Sequence, residues 1–273
     1  MDKEMLLSHR CRFSASHYYY VNDWAEAKNI QVFGKAANPN GHGHNYLLEV
    51  TVKGEVDPVT GMVMNIHDLK EIVSNITAEL DHKNLNKEVL YFETHLPTPE
   101  NICRYLWDKI SEKLSLAELA SIRAWEDEFT SAELREKVTF TNNYHFSAAH
   151  RLHTPLLSQS ENENLYGKCA NPKGHGHNYT VDVTVTGTPD PVTGMAVDRK
   201  CLDDAVHQML IKPWDHRNLN EEIEELIGSV PTGENLVKLA WEKLNHALGE
   251  GMLQSVKIGE TPNAFFEYRG EEA

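Results

Sequence analysis

Histidine is the residue type whose number and spacing in this chain first suggest chemistry. The sequence contains 15 histidines in 273 residues, and two His-x-His pairs lie inside identical GHGHNY blocks. In an extended strand residues i and i+2 point to the same face, so each pair presents both imidazoles to one point. A further histidine stands 25 residues before each pair, which makes two equivalent triplets: His17, His42 and His44, and His150, His175 and His177.

Three histidines that converge from two strands are the ligand set of a catalytic zinc ion, whose fourth position stays open for water or substrate. The alternative is a set of buried histidines satisfied by hydrogen bonds, but the whole triplet recurs with its spacing intact, which favours metal. Imidazole is a poor ligand for hard cations, so zinc is favoured over magnesium. We therefore predict one zinc ion (Zn²⁺) for each triplet.

One cysteine lies where a thiol could take part in proton transfer. Cys169 stands six residues before His175, in a loop of Gly, Asn and Pro that leads to the predicted metal. A thiol there could be acidified and exchange protons with a bound substrate. A lone cysteine is most often a small buried hydrophobe, which is the interpretation of Cys11, Cys103 and Cys201.

Two Asp-His pairs, Asp81-His82 and Asp215-His216, are candidate proton relays, because a carboxylate beside an imidazole can orient and polarise a proton-transfer chain. Adjacent residues in a helix or strand do not face one another, so the two members are open to separate roles. Local polar contacts at the end of a helix are the alternative.

Two glutamates, Glu126 and Glu260, fall in predicted strands of alternating polarity. A strand glutamate usually faces solvent. A buried carboxylate could instead receive two N–H donors from a guanine-like heterocycle. The residues alone leave both interpretations open.

The chain consists of two copies of one unit. Residues 34–46 (GKAANPNGHGHNY) and 167–179 (GKCANPKGHGHNY) differ at two positions only, and further blocks match at offsets of 133 and then 134 residues. Such spacing indicates duplication of a domain-sized segment rather than a solenoid of short repeats. We predict two lobes, residues 1–136 and 137–273.

Within each lobe the order of elements is strand, long loop, strand, two helices and then strands. Residues 44–54 and 177–187 alternate apolar and polar side chains, as half-buried strands do. Apolar residues at helical spacing predict a helix that leads into Asp81. Thr98 and Thr232 are predicted N-caps with an acidic first turn. Each lobe is therefore predicted to be α+β with an antiparallel sheet.

Charge and composition limit the classes of function. With 41 acidic and 26 basic residues the formal charge is −15, which argues against a protein that grips nucleic-acid phosphates or an anionic membrane. No apolar run approaches the roughly 18 residues of a membrane span, and no signal peptide is recognisable. Four cysteines are too few for a disulfide scaffold and indicate a reducing compartment. We expect a cytoplasmic protein.

These motifs together resemble the 6-pyruvoyl-tetrahydropterin synthase family. In the second lobe the matching segments span nearly its whole length: FSAAH, YGKCANPKGHGHNY, DPVTGM, WDHRNLN, PTGEN and the ETPN run that begins at Glu260. The first lobe matches almost as fully, so the chain resembles a tandem fusion. The resemblance implies two tandem T-fold (tunnelling fold) lobes, each a four-stranded antiparallel sheet with two helices on one face.

The implied activity belongs to tetrahydrobiopterin biosynthesis. It is a zinc-dependent lyase reaction that converts 7,8-dihydroneopterin triphosphate to 6-pyruvoyl-tetrahydropterin and eliminates triphosphate. By resemblance the second-lobe triplet holds zinc, Cys169 accepts the proton, and the relay is formed by Asp215 and His216. Glu260 anchors the pterin ring, with Glu126 as its counterpart, and the pterin pocket is lined by Thr232 and Glu234.

The first lobe departs from the family pattern at Ala36, which stands where the second lobe has Cys169. Alanine cannot exchange a proton, so this lobe is expected to bind metal but not to turn over by the cysteine mechanism, and pterin binding by this lobe is left open. In the family the Asp-His pair reaches a neighbouring subunit, so Cys169 could be served by Asp81 and His82. Family members form edge-to-edge barrels, which implies a homo-oligomer, either a dimer or a trimer of two-lobed chains.

Other functions remain open at this point. The nearest is 6-carboxy-tetrahydropterin synthase of deazaguanine and queuosine synthesis, which uses the same substrate. The spacing of Cys169 and His175 and the GHGHNY block look more like the pyruvoyl enzyme. A non-catalytic pterin- or zinc-binding protein is a second alternative. A cupin-like metalloenzyme is a third, and the predicted helices in both lobes argue against it.

Overall fold

The computed structural model describes residues 4–270. The strands are Met5–His17 (β1), His42–Gly54 (β2), Lys83–Asn84 (β3), Glu118–Trp125 (β4), Thr130–Leu134 (β5), Val138–His150 (β6), His175–Thr186 (β7), Arg217–Asn218 (β8), Leu253–Thr261 (β9) and Ala264–Tyr268 (β10). The helices are Glu26–Phe33 (α1), Ile66–Thr77 (α2), Leu85–Glu88 (α3), Pro99–Ser111 (α4), Gln159–Tyr166 (α5), Arg199–Val206 (α6), Lys212–Trp214 (α7) and Gly233–Leu248 (α8).

The chain divides into two compact units that do not follow the repeat boundary throughout. The first unit comprises the described chain up to Thr141 together with Thr186–Asp198, and the second comprises Asn142–Val185 and the chain from Arg199 onward. A segment that follows β7 in the second repeat thus belongs to the first unit.

The first unit is built on a sheet in which four antiparallel strands follow the order β5-β4-β2-β1. The two-residue strand β3 adds in parallel to β1. Alternate residues of β2, such as Leu48 and Val50, are fully buried, and α2 and α4 cover them with Leu69, Val73 and Leu106. The predicted four-stranded sheet with two helices on one core is confirmed for this unit.

The second unit repeats this architecture with the order β10-β9-β7-β6 and a short parallel strand, β8, beside β6. Helix α8 packs on β9 and β10. The stacked ring pair Phe146 and Tyr179, with centroids 4.8 Å apart, reproduces the stacked pair Phe13 and Tyr46 of the first unit, also 4.8 Å apart. Equivalent sequence blocks therefore produce equivalent packing beneath both histidine triplets.

The long loop expected after the first strand of each lobe contains a helix, α1 or α5, so that expectation was incomplete. Each helix is tied to its loop by a buried asparagine: Asn29 accepts from the Val21 N–H, and Asn162 accepts from the Thr154 N–H, both at 2.8 Å. A capping box that begins at Ser158 starts α5 and is a readable signal for it. At the N-terminus of α1, no side chain forms a capping hydrogen bond.

The structure tests the predicted helix N-caps, the predicted burial of three cysteines and the predicted lack of a membrane span. Thr98 and Thr232 are confirmed as N-caps of α4 and α8, each accepting a hydrogen bond from a backbone N–H three residues on. Of the cysteines interpreted as buried, Cys103 is buried and Cys11 is half-buried, but Cys201 is exposed, so the interpretation was wrong there. Within residues 4–270, no helix has the length and apolar character needed to cross a bilayer.

Candidate metal centres and active site

The first histidine triplet is assembled by the register of two strands. In the antiparallel pairing of β1 and β2, His17 lies directly opposite His42, and Ala15 lies opposite His44. Because His42 and His44 are two residues apart on one strand, they share a face. The ring centroid of His17 is 4.6 Å from that of His42 and 5.0 Å from that of His44. One ring nitrogen of each histidine lies within 4.8 Å of the other two, a set that can hold a metal ion.

The second triplet has the same form, and it joins the ends of β6 and β7. The centroid of His150 is 4.6 Å from that of His175 and 5.2 Å from that of His177, and the latter two are 4.9 Å apart. Its ligand nitrogens also lie within 4.8 Å of one another. The predicted convergence of both triplets is therefore confirmed.

A backbone carbonyl orients the buried histidine of each triplet. The carbonyl oxygen of Pro97 is 3.0 Å from Nδ1 of His17, and that of Pro231 is 2.9 Å from Nδ1 of His150. A carbonyl can only accept, so it places the proton on Nδ1 and leaves the Nε2 lone pair available to a metal. Both prolines immediately precede the threonine N-caps, so the start of α4 or α8 determines how the deepest ligand is presented.

The chemistry of the donor set fits zinc. Burial lowers the pKa of three of the imidazoles, and neighbouring histidines lower it further: His42, His150 and His175. The neutral imidazole that results is the metal-binding form. Within residues 4–270, several buried ring nitrogens of the triplets have no hydrogen-bond partner: Nδ1 of His42, Nε2 of His44, Nε2 of His150, both nitrogens of His175 and Nε2 of His177. Buried polar atoms are seldom left unsatisfied, and a zinc ion bound by each triplet would satisfy those that face it.

A glutamate carboxylate stands beside each triplet. Oε1 of Glu260, on β9, is 3.4 Å from Nε2 of His150 and 3.8 Å from Nε2 of His177. Oε1 of Glu126 is 3.3 Å from Nε2 of His17. Glu126 follows the last residue of β4 rather than lying within it, so its predicted strand position was wrong. Both glutamate carboxylates therefore lie next to a histidine triplet. A ligand bound there would contact the carboxylate and any metal ion that the triplet holds.

The two carboxylates differ in their accessibility and in their partners. The side chain of Glu260 is 21% exposed and that of Glu126 is 7% exposed. The hydroxyl of Tyr19 donates a hydrogen bond of 2.5 Å to Oε1 of Glu126. The repeat places Leu152, which has no hydroxyl, at the equivalent position of the second unit. A ligand N–H group would therefore find Oε1 of Glu126 already hydrogen-bonded to Tyr19, and the carboxylate of Glu260 more exposed.

Cys169 lies in the 3₁₀ turn Gly167–Ala170 and is half-buried. Its carbonyl accepts a hydrogen bond of 2.9 Å from the N–H of Leu152. Burial raises the pKa of Tyr179, and electrostatic interactions with Glu260 and Cys169 raise it further. That hydroxyl lies 3.4 Å from Nδ1 of His150. The turn that carries Cys169 is thus hydrogen-bonded to the segment that follows His150 of the second histidine triplet.

The Asp-His pairs are in direct contact, contrary to the expectation that adjacent members do not face one another. Oδ2 of Asp81 lies 2.8 Å from Nδ1 of His82, and Oδ2 of Asp215 lies 2.9 Å from Nδ1 of His216. Both histidines have a φ of 58°, in the left-handed region. Residues other than glycine rarely adopt this conformation, which turns the imidazole back onto the preceding carboxylate.

Backbone hydrogen bonds anchor the carboxylates of these pairs. The N–H of Ser14 donates to Oδ1 of Asp81, and the N–H of Ser147 donates to Oδ1 of Asp215, both at 2.8 Å. These bonds are the largest cause of the lowered pKa of each aspartate, followed by the adjacent histidine. The histidine side chains are more than 80% exposed. Each pair is therefore held as an ionised carboxylate with an outward-facing imidazole.

The threonine and glutamate at the start of α8 differ from their counterparts in α4. Thr232 is half-buried and Glu234 is exposed, whereas Thr98 and Glu100 are fully buried. Oε1 of Glu100 accepts a hydrogen bond of 3.2 Å from the N–H of Ala196, in the segment 186–198 that belongs to the first unit.

Several residues that shape these sites were not predicted from the sequence. Tyr19 was readable as a difference between the repeats, because Leu152 occupies the matching position. The carbonyl groups of Pro97 and Pro231 carry no side-chain signal. Nothing in the local sequence indicated that Ala196 would contact Glu100.

The sequence pattern described as 6-pyruvoyl tetrahydropterin synthase matches residues 6–137 and again residues 139–271. The chain belongs to the 6-pyruvoyl tetrahydropterin synthase family. The family's T-fold accordingly occurs twice in this chain, each time with a histidine triplet.

Among relatives in the family, human 6-pyruvoyl tetrahydrobiopterin synthase is 46% identical over 121 residues, which are 44% of this chain and 83% of the human protein. A putative 6-carboxy-5,6,7,8-tetrahydropterin synthase of Archaeoglobus fulgidus is 33% identical over 135 residues, which are 50% of this chain and 99% of that protein. The structure of 6-pyruvoyl tetrahydropterin synthase from Caenorhabditis elegans aligns with a TM-score of 0.47 and 40% identity, over 49% of this chain and 95% of that chain.

Proposed function

We propose that this protein is a zinc-dependent pterin lyase whose second unit converts 7,8-dihydroneopterin triphosphate to 6-pyruvoyl-tetrahydropterin. The observation that carries the proposal is the combination of the half-buried thiol of Cys169 with a histidine triplet and the partly exposed carboxylate of Glu260. The first unit has Ala36 at the position of the thiol, so we assign turnover to the second unit alone.

In this proposal each part of the second unit has a separate task. Zinc bound by His150, His175 and His177 would acidify protons of the substrate side chain by polarising its oxygens. The carboxylate of Glu260 accepts hydrogen bonds from the N–H groups of the pterin edge, which orients the ring. Thr232 and Glu234, at the start of α8, line the pocket that binds the pterin ring.

The thiolate of Cys169 removes a proton from the substrate side chain and returns it at another carbon. An Asp-His pair acts as the relay: Asp215 with His216, or Asp81 with His82 of a neighbouring copy. Triphosphate leaves with the electron pair of its carbon–oxygen bond as the adjacent carbon loses a proton. The ring gains the two hydrogens that the side-chain carbinol loses, so no external oxidant or reductant is needed.

The mass of the organic product tests this proposal against its rivals. Zinc-loaded protein is incubated with 7,8-dihydroneopterin triphosphate, and triphosphate and the organic product are measured together. We expect triphosphate release and a product that retains the three-carbon side chain. Release of acetaldehyde would instead identify the 6-carboxy reaction, and zinc and pterin binding without triphosphate release would identify a non-catalytic binding protein.

We also propose that the chain forms a homo-oligomer in which a second copy covers the start of α8. In the first unit the segment 186–198 covers the equivalent residues, and Met195 within it is 6% exposed. The equivalent methionine of the first repeat, Met62, is 42% exposed. A second copy that places Met62 over Thr232 and Glu234 would repeat the contact already present once in the chain.

Replacing Met62 with aspartate tests this assembly, because a charge at a buried apolar contact opposes association. We expect wild-type protein to sediment as a dimer or trimer of chains and Met62→Asp to shift towards the single chain. Val59→Asp, at a position that is 91% exposed in the same segment, is the control and is expected to remain assembled. A wild-type protein that sediments as a single chain would contradict this part of the proposal.

A further inference from the structure

We propose that Tyr19 closes the first unit to the pterin ring, so that its metal centre is retained without a substrate site. This inference rests on the proposed function, in which the equivalent carboxylate of the second unit binds that ring. One side chain then distinguishes the unit that accepts substrate from the unit that does not.

A hydrogen bond within the first unit already occupies the carboxylate of Glu126. A carboxylate that recognises a heterocycle edge uses both oxygens to accept two N–H groups. The hydroxyl of Tyr19 already donates to Oε1 of Glu126 at 2.5 Å, and the same oxygen lies 3.3 Å from Nε2 of His17. A pterin could bind both oxygens only after displacing a charge-assisted hydrogen bond and leaving a buried hydroxyl without that acceptor, which is unfavourable.

The ring of Tyr19 is tightly packed in the first unit. Tyr19 is 2% exposed, and it is held in an apolar cluster whose other buried members are Phe33, Ala37, Leu96 and Met195. Its ring also meets that of His17 edge-on, with centroids 4.8 Å apart. A ring enclosed on these sides cannot swing aside without exposing apolar surface, so it occupies the space next to Glu126.

The two residues at which the first unit departs from the second, Tyr19 and Ala36, are joined by a backbone hydrogen bond. The N–H of Tyr19 donates to the carbonyl of Ala36 at 2.8 Å, and the N–H of Leu152 donates to the carbonyl of Cys169 at 2.9 Å. The exchange of leucine for tyrosine and of cysteine for alanine therefore takes place at one backbone contact. Ala36 packs against the cluster that contains Tyr19. The position that lacks the thiol in the first unit thus lies beside the one that carries the tyrosine ring.

Counting pterin sites per chain tests the inference. The probe is 7,8-dihydroneopterin, which keeps the pterin ring but has no triphosphate to lose, and its binding is measured by equilibrium dialysis against zinc-loaded protein. We expect one site per chain in the wild type and two in Tyr19→Leu, which installs the second-unit residue. The added site should disappear in Tyr19→Leu/Glu126→Gln. Ala36→Cys, which leaves the tyrosine in place, is the control and should stay at one site.

The variant Glu260→Gln keeps the test decisive if Tyr19→Leu does not fold. With the second unit's carboxylate removed and Tyr19 intact, we expect binding to be lost and the zinc content to remain at two per chain. Two sites in the wild type, or one Glu126-dependent site in Glu260→Gln, would overturn the inference. A wild type with no pterin site would contradict the proposed function instead, and the inference would then be decided by whether Tyr19→Leu gains a site.

Discussion

Replacing Cys169 with serine is expected to lower the rate of triphosphate release about 100- to 10,000-fold, the range that a positioned acid–base group contributes. Serine keeps the size of the side chain, but the thiolate is the form that accepts a proton, and a hydroxyl has no comparable anion near neutral pH. The measurement is the initial rate of triphosphate release by zinc-loaded protein. Since the sulfur is not one of the predicted metal ligands, the variant should still contain two zinc ions per chain.

Cys201→Ser is the control for this substitution, because that cysteine is exposed and lies in α6. We expect it to keep the wild-type rate. A Cys169→Ser protein that retains most of the wild-type rate would show that the thiol is not the proton acceptor. In that case an Asp-His pair would be the next candidate for the base.

Removing one ligand from the second metal centre is expected to have an effect at least as large. His175→Ala leaves two histidines where a stable zinc site has three protein ligands, so the zinc content should fall from two ions per chain to one. Loss of the Lewis acid removes several kcal/mol of stabilisation, which corresponds to a decrease in turnover of about 1,000-fold. Zinc is measured by elemental analysis of the purified protein, and turnover by triphosphate release.

His42→Ala is the matched variant, since His42 occupies the same place in the first triplet. It should also reduce the zinc content to one ion per chain, but we expect turnover to fall less than about tenfold, because substitutions at separate sites act almost independently. The double variant should contain no zinc. If His42→Ala abolished turnover while the second zinc remained bound, the assignment of chemistry to the second unit would be wrong.

The histidine triplets were predictable because their geometry depends on short-range rules. Side chains two residues apart on a strand share a face, so the GHGHNY block directs two imidazoles together wherever it forms a strand. The equal spacing of His17 and His150 from their pairs showed that a third histidine belonged to each set. Antiparallel register then placed His17 directly opposite His42.

The Asp-His contacts and the loop helices were harder to predict, for different reasons. The contact between Asp215 and His216 depends on a left-handed φ at a residue other than glycine, which local preferences disfavour and the surrounding fold imposes. Helix α1 has no side-chain cap hydrogen bond, and the buried amide of Asn29 ties it to the preceding loop. The position of α1 thus depends on a tertiary contact that the local sequence does not indicate.

The sequence by itself determined the duplication, the two histidine triplets and the presence of Ala36 at the position that matches Cys169, because identity, spacing and residue type are properties of the chain. Only the tertiary structure decided which carboxylate is accessible. Tyr19 and Glu126 are 107 residues apart, and their hydrogen bond exists because the sheet and its covering loop bring them together. The exposed fraction of a side chain is likewise a result of packing, which local sequence patterns do not specify.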